Sequence, residues 1–258
     1  MTEGQWAELR QVGFAALDHA AAVQTATDLL ALGPGFGDPL LAAMGLADFT
    51  APVGPDTYVE VLAPTMPDHS VARWLRRVGG ASGWVLSTQV PSLDGVRERA
   101  EAHGVRVAVD TEAMGRRIVQ LHPLDVGVLL ELDEFVPREA WFWDELPGAR
   151  AAHAFRTTKA DDIVAVDIAV PVGPAPSGAP PGPAAMARTW AAIIGIDPPS
   201  APAITADGAT LAFGRRTIRF VPAQDGRTGI VAVDVHATDR HHVAGSSGTL
   251  CNTQIRFT

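Results

Sequence analysis

The five residues Ile163-Val164-Ala165-Val166-Asp167 return unchanged as Ile230-Val231-Ala232-Val233-Asp234. A repeat constrains a fold more tightly than any single residue, because each copy must build the same supersecondary unit. A second echo supports it. Gly115-Arg116-Arg117-Ile118 runs on to Pro123, and Gly214-Arg215-Arg216-Thr217 runs on to Pro222. In both, a Gly-Arg-Arg turn feeds a strand that ends at proline. Four segments open a module: Phe14–Val23, Trp84–Val90, Ile163–Val170 and Ile230–Ala237. The first two are spaced as the last two are, which organises the chain as four modules in two pairs.

The second module shows the unit. Trp84–Val90 reads as a strand, and Pro91-Ser92 breaks it. Ser92 is placed to cap a helix over Leu93–His103, with Val96, Ala100 and Ala102 on its apolar side and Gly104 at its end. Strands follow at Arg106–Val109, Arg117–His122 and Val128–Leu132. The third module repeats this order, with a helix at Ala184–Ile194 and strands at Thr210–Phe213 and Thr217–Val221. The fourth is abbreviated and closes with Thr253–Phe257. The expected fold class is α+β, built from tandem βαβββ modules. Its domains are 1–137, an aromatic linker over 138–160 that carries Trp141, Phe142 and Trp143, and 161–258. The segment Pro171–Pro183 is proline-rich and expected to be extended.

Several function classes fall away on composition. Of 258 residues, 47% are apolar and 19% charged, a balance that supports a packed core. The net charge is −9 and no Lys/Arg block exists, so nucleic acid is excluded as a partner. No apolar run is long enough for a membrane span. Cys251 stands alone, which excludes an internal disulfide or a cysteine zinc site. The first residues lack the build of a signal peptide, so a cytoplasmic monomer or homodimer is expected.

The repeated βαβββ unit, together with several words of sequence, resembles the vicinal oxygen chelate, or glyoxalase/bleomycin-resistance-like, superfamily. The first half resembles its methylmalonyl-CoA-epimerase-like branch. Leu17-Asp18-His19 resembles the opening strand, Val59-Glu60-Val61-Leu62-Ala63-Pro64 the middle strand, and Ser70-Val71-Ala72-Arg73-Trp74-Leu75 the connecting helix. Leu121-His122-Pro123 and Gly127-Val128-Leu129-Leu130-Glu131-Leu132 resemble the closing strands. The resemblance spans about residues 12–135; residues 160–258 match only as an architectural copy. It implies a cupped sheet around a divalent metal that binds two substrate oxygens and stabilises an enolate, with a carboxylate moving the proton.

The residues permit two readings. On a strand, His19 shares a face with Leu17, Ala21 and Val23, Glu60 with Tyr58 and Leu62, and Glu131 with Leu129. Each is an ionisable group interrupting an apolar face, and a buried charge needs a partner, a metal or water. If the three converge, His19, Glu60 and Glu131 form a set for Co, Mn, Ni, Fe or Zn, with Glu60 and Glu131 also the catalytic carboxylates. Otherwise the two glutamates face solvent and His19 is a hydrogen-bonded core residue. The family's further histidine ligand falls on Val85, which cannot ligate. Trp84, Ser87, Gln89 and His122 are the expected substrate-lining residues. The short segment Gly45–Pro55 holds no convincing counterpart of the family's catalytic glutamate; Asp48 lies there, in unsettled register.

In the second half, Arg219 matches Glu60, Asp167 or Ile168 matches His19, and Gln254 and Arg256 lie on the strand matching that of Glu131. His236 and His241-His242 offer no ligand set. Gly33-Pro34-Gly35-Phe36-Gly37 reads as a turn, without the spacing of a dinucleotide fingerprint. The expected function is a metal-dependent isomerase, epimerase or lyase acting next to a carbonyl on a small molecule with carbonyl or carboxylate oxygens. The alternative is a metal-free protein that binds or sequesters a small molecule. Arg73, Arg76 and Arg77 could serve a CoA tail or form a solvated helix face.

Overall fold

The computed structural model describes residues 4–155, 157–173, 180–196, 202–205, 208–238 and 243–258. Two mixed seven-stranded sheets carry the chain. The first uses β1 (Glu8–Ala16), β2 (Leu46–Pro52), β3 (Tyr58–Pro64), β4 (Ala81–Val90), β5 (Val107–Ala113), β6 (Arg116–Leu121) and β7 (Leu129–Glu134), in the order β2-β3-β1-β4-β7-β6-β5. The second uses β8 (Ala160–Val170), β9 (Ala203–Thr205), β10 (Gly208–Phe213), β11 (Arg216–Pro222), β12 (Gly229–Ala237), β13 (Ser247–Leu250) and β14 (Thr253–Phe257), in the order β13-β14-β12-β8-β11-β10-β9. The fold is α+β and its strand order repeats between the sheets.

Contacts divide the chain into two compact units, and each draws on both halves of the sequence. One contains Met1–Arg10, Val85–Trp141 and Ala165–Val231. Its core gathers around Trp190 of α7 (Pro183–Ile194), which is fully buried. The indole donates to Val126 O at 3.1 Å and meets the Phe220 ring edge-on at 5.0 Å. The buried side of α4 (Val96–Ala102) is Val96 and Ala100, two of the apolar positions expected from the sequence.

The other unit contains Gln11–Trp84, Phe142–Val164 and Ala232–Thr258. Ala15, Leu46, Leu62, Val71 and Leu75 form its buried cluster, with Trp74 and Trp84 packed against it, their rings tilted at 58° with centroids 4.6 Å apart. Val71 and Leu75 come from α3 (Ser70–Arg77), whose arginines Arg76 and Arg77 sit in the last turn, favourable to the helix dipole.

The structure corrects the opening of the chain. Phe14–Val23 is not one strand: β1 stops at Ala16 and α1 runs from His19 to Leu30. The physical reason is local. Asp18 is an N-cap whose Oδ1 accepts from Ala21 N at 3.0 Å, and the alanine-rich run that follows favours helix. Ala31, at φ 54°, ends the helix in the left-handed region and returns its N–H to Thr27 O. The expected linker also has structure, a 3-10 turn at Phe142–Glu145 and α6 (Pro147–His153). Residues 174–179 of the proline-rich segment, and His241-His242, lie outside the described residues.

Candidate active site

Four of the expected site residues belong to the first unit. Ser87 of β4 stands opposite Glu131 of β7, and Gln120 of β6 stands on its other side. Residues opposite one another share a sheet face. Glu131 is half-buried and uses both oxygens: Oε1 accepts from Ser87 Oγ at 2.8 Å and Oε2 from Gln120 Nε2 at 2.6 Å. Gln89 is fully buried. Its amide donates to Phe135 O and Pro137 O, and its oxygen accepts from Arg10 Nε at 2.7 Å. This anchors the chain as it leaves β7. His122 caps α5 (Pro123–Val126), its Nδ1 accepting from Leu124 N at 3.2 Å. Burial lowers the His122 pKa, and the neighbouring Arg106 adds to that. Arg106 donates to both oxygens of Asp125. Val85 is buried and apolar.

The second unit holds the other expected residues. Glu60 of β3 is 4% exposed and lies between Gly13 of β1 and Thr50 of β2. One step along, Gln11 is opposite Tyr58. Both are covered by the segment expected to be a linker. Trp143 Nε1 donates to Gln11 Oε1 at 2.9 Å, the Tyr58 hydroxyl is 2.5 Å from His153 Nε2, and Phe36 meets the Tyr58 and Trp143 rings edge-on. Trp84 belongs to the tilted tryptophan pair packed against the core.

His19 is placed on α1, with Nε2 3.1 Å from Val61 O. A carbonyl only accepts, so Nε2 carries the proton and offers no lone pair. Among the described residues, no three His, Cys, Asp or Glu side chains form a group able to hold a metal ion. The donors therefore do not fit the divalent metal that the resemblance implies. One imidazole nitrogen donates to the backbone, one glutamate spends both oxygens on neutral donors, and a valine occupies a ligand position.

The structure settles the register of Asp48. It lies on β2 opposite Leu62, two residues before Thr50, and so on the face that carries Glu60. Its Oδ2 accepts from Asp38 N at 2.7 Å. Gly37 sits beside Oδ1, where an added Cβ would make ordinary van der Waals contact at 3.4 Å. Phe36 pairs with Thr50 and holds this segment along β2. Partial burial is the main cause that raises the Asp48 pKa to about 6, and nearby Asp38 adds to it. The Asp38 N–H and the charge of His19 pull the other way.

Asp48 escaped assignment from sequence because face depends on register, and no local word fixes where β2 begins. Thr50 and Gln11 gave no signal of their own. The turn at Gly33–Gly37 was the available clue, since a glycine beside an acid invites close approach.

Comparison with solved structures gives the fold a name. A triple mutant of 4-hydroxymandelate synthase from Streptomyces coelicolor superposes with a TM-score of 0.62, covering 90% of this chain and 71% of that one at 16% identity. The chain has the tandem vicinal oxygen chelate fold. Methylmalonyl-CoA epimerase from Mycobacterium tuberculosis matches 51% of this chain and 89% of its own at 26% identity, with a TM-score of 0.43. A hypothetical protein from Bacillus halodurans matches at 20% identity, covering 51% of this chain and 96% of its own, with a TM-score of 0.43. No protein-family model and no curated protein matches the chain. Within the vicinal oxygen chelate fold, β1–β3 and β4–β7 are the opening and closing strands of the first two modules, and Glu60 and Glu131 occupy equivalent positions opposite Gly13 and Ser87.

Proposed function

We propose that this chain is an enzyme that moves a proton next to a carbonyl or carboxylate group of a small molecule, an isomerase or epimerase with Asp48 as its acid–base group. The observation that carries the reading is the Asp48 carboxyl itself. It is half-buried, held at Oδ2 by Asp38 N, and has a pKa of about 6. A group that titrates near neutrality exchanges protons in both directions, which is what acid–base catalysis needs. Asp48 takes a proton from the carbon acid at Oδ1. The Asp38 N–H keeps Oδ2 fixed, and the charge of His19 favours the ionised form between turnovers. The reading draws on side-chain carboxyls and assigns no step to a metal.

The test is deuterium exchange. The protein is incubated in D2O with a panel of 2-methyl-branched acyl thioesters and 2-oxo acids, and the recovered compounds are weighed by mass spectrometry. At least one is expected to gain a single deuterium, with a rate that rises through an apparent pKa near 6. Asp48→Asn is expected to slow that exchange about 100-fold or more, the scale of general base catalysis, while circular dichroism stays unchanged. Tight binding of panel members without any exchange would instead favour the binding-protein alternative.

A further inference from the structure

The short helix α2 (Pro39–Ala43) consists of Pro39, Leu40, Leu41, Ala42 and Ala43, with Met44 as its C-cap, and none of the five helical residues is buried. Leu41 packs against the buried cluster of the second unit and so pins the helix. Leu40 and Met44, four positions apart and so on one helix face, are 36% and 61% exposed. Met66, at the same end of the β2–β3 pair, is 56% exposed. Its loop is tied to the end of α2: Gly45 O accepts from Thr65 N and Thr65 Oγ1, both at 2.9 Å, and His69 Nε2 lies 3.2 Å from Met44 O. Single exposed apolar side chains are ordinary, whereas an exposed apolar patch marks a binding surface.

The strip begins at Asp48. Asp38, the N-cap of α2, donates its N–H to Asp48 Oδ2 at 2.7 Å, and Asp38 Oδ1 accepts from Leu40 N at 2.8 Å. Leu40 is thus two hydrogen bonds from the carboxyl, and Met44 lies about 6 Å further along the helix. Leu40, Met44 and Met66 carry no charge and no strong hydrogen-bonding group, so hydrocarbon is what they can hold. Size limits the occupant further. A stable protein interface uses roughly 20–30 residues a side, and this strip suits a single chain of methylenes. Two methionines fit the role, because a flexible, polarizable side chain adapts to a flexible ligand.

We propose that Leu40, Met44 and Met66 seat the acyl chain of the substrate, so that the compound handled at Asp48 is a medium-chain acyl compound rather than a short one. The proposal rests on the reading of Asp48 as the acid–base group, and it adds the substrate class. Each methylene laid on the strip raises affinity by about two- to threefold, less than the roughly fourfold of complete burial, because one side of the chain stays in water.

The test reads the methionines directly. The chain has five, and 13C in their methyl groups gives each an NMR signal; Met44→Leu and Met66→Leu assign the two in the strip. Neutral N-acetylcysteamine thioesters of 2-methylbutanoic, 2-methylhexanoic and 2-methyldecanoic acid are titrated below the concentrations at which they aggregate. The Met44 and Met66 signals are expected to move with the longest chain, and its Kd to be lower by about two- to threefold per added methylene. Met114, 38% exposed in the first unit, is expected to stay still. Leu40→Asp and Met44→Asp alter exposed positions and are each expected to weaken the 2-methyldecanoyl compound about tenfold, with circular dichroism unchanged. Absence of any shift, shifts independent of chain length, or equal shifts at Met114 overturn the proposal. So does movement of the Met44 and Met66 signals with protein concentration alone, which would give the strip to a second copy of the chain. Chain-length-dependent binding without deuterium exchange in any compound would keep the seat and remove the Asp48 reading. Exchange that ignores chain length would do the reverse.

Discussion

At the scale of single residues, environment rather than residue type sorts the acids of the first sheet. Glu60 and Glu131 occupy equivalent positions, yet one is nearly sealed and the other half-buried between two neutral donors. Asp48 is the acid whose setting suits proton transfer, and the same shift makes a stability statement. Its folded pKa, about 6, lies above the ordinary 3.8. The folded state therefore binds the proton more tightly than the unfolded chain does. The stability this contributes is complete below pH 3.8 and is lost as pH rises through about 6. Asp48→Asn keeps an oxygen to accept from Asp38 N and removes the charge. It is expected to melt higher than the parent at pH 7.5, by about 1 kcal/mol once solvent at this half-exposed site is allowed for, and to match it at pH 3.5. Thermal unfolding at both values checks the sign. None of this was legible in the sequence, where Asp48 is one acid among 29 acidic residues. A pKa depends on burial and neighbours, and those follow from register.

Elements were far more legible than residues. The helix over 184–194 and the closing strands of the second and third modules fall where periodicity and turn residues put them. Strand ends there are marked by proline and by Gly-Arg-Arg turns. The helix expected from Leu93 starts only at Val96, with Gly95 and not Ser92 as its N-cap, because Ser92 accepts from Asp94 N in the turn before it. The first module was misread for an equally physical reason. β1 carries Glu8, Arg10 and Gln11, all buried, so its first half looks polar in sequence. Their partners are remote. Arg138 pairs with Glu8, and Trp143 with Gln11, more than 120 positions away along the chain. The apolar run after Asp18 looked more like a strand, but Asp18 is a helix cap. Asp18→Ala removes the bond to Ala21 N and is expected to cost about 1 kcal/mol. The loss should appear as a lower urea midpoint with unchanged slope, together with faster amide exchange at Ala20–Ala22. A strand continuing through Val23 would be indifferent to the change, so an unaltered midpoint and exchange pattern would contradict the helix.

At the scale of the whole molecule, one register pair recurs in all four modules and is filled differently in the two sheets. In the first sheet, Glu60 faces Gly13 and Glu131 faces Ser87. In the second, Arg219 faces Asp167 and Arg256 faces Asp234. These are the aspartates that close the repeated Ile-Val-Ala-Val-Asp, which explains why the repeat extends to its fifth residue. Each is paired: Arg219 Nε and Arg256 Nε both donate to the facing carboxylate. Where the first sheet presents acids beside small neighbours, the second neutralises its acids with arginine. The two sheets thus differ in how the acids of this register pair are balanced. The pair can be inverted. Arg219→Glu sets two carboxylates opposite one another, with Asp167 nearly buried. It is expected to destabilise the protein by about 1–3 kcal/mol at pH 7, less than the roughly 3–5 kcal/mol for a fully buried pair because the Arg219 side chain is partly exposed. The loss should shrink below pH 4, where one carboxyl protonates. Adding Asp167→Gly restores the acid-beside-glycine arrangement of Glu60 and Gly13, and should recover much of the loss. Urea unfolding of the parent, Arg219→Glu, Asp167→Gly and the double variant closes the cycle. Additive losses would mean that the facing positions do not interact and that the repeat owes its aspartate to something other than this pairing.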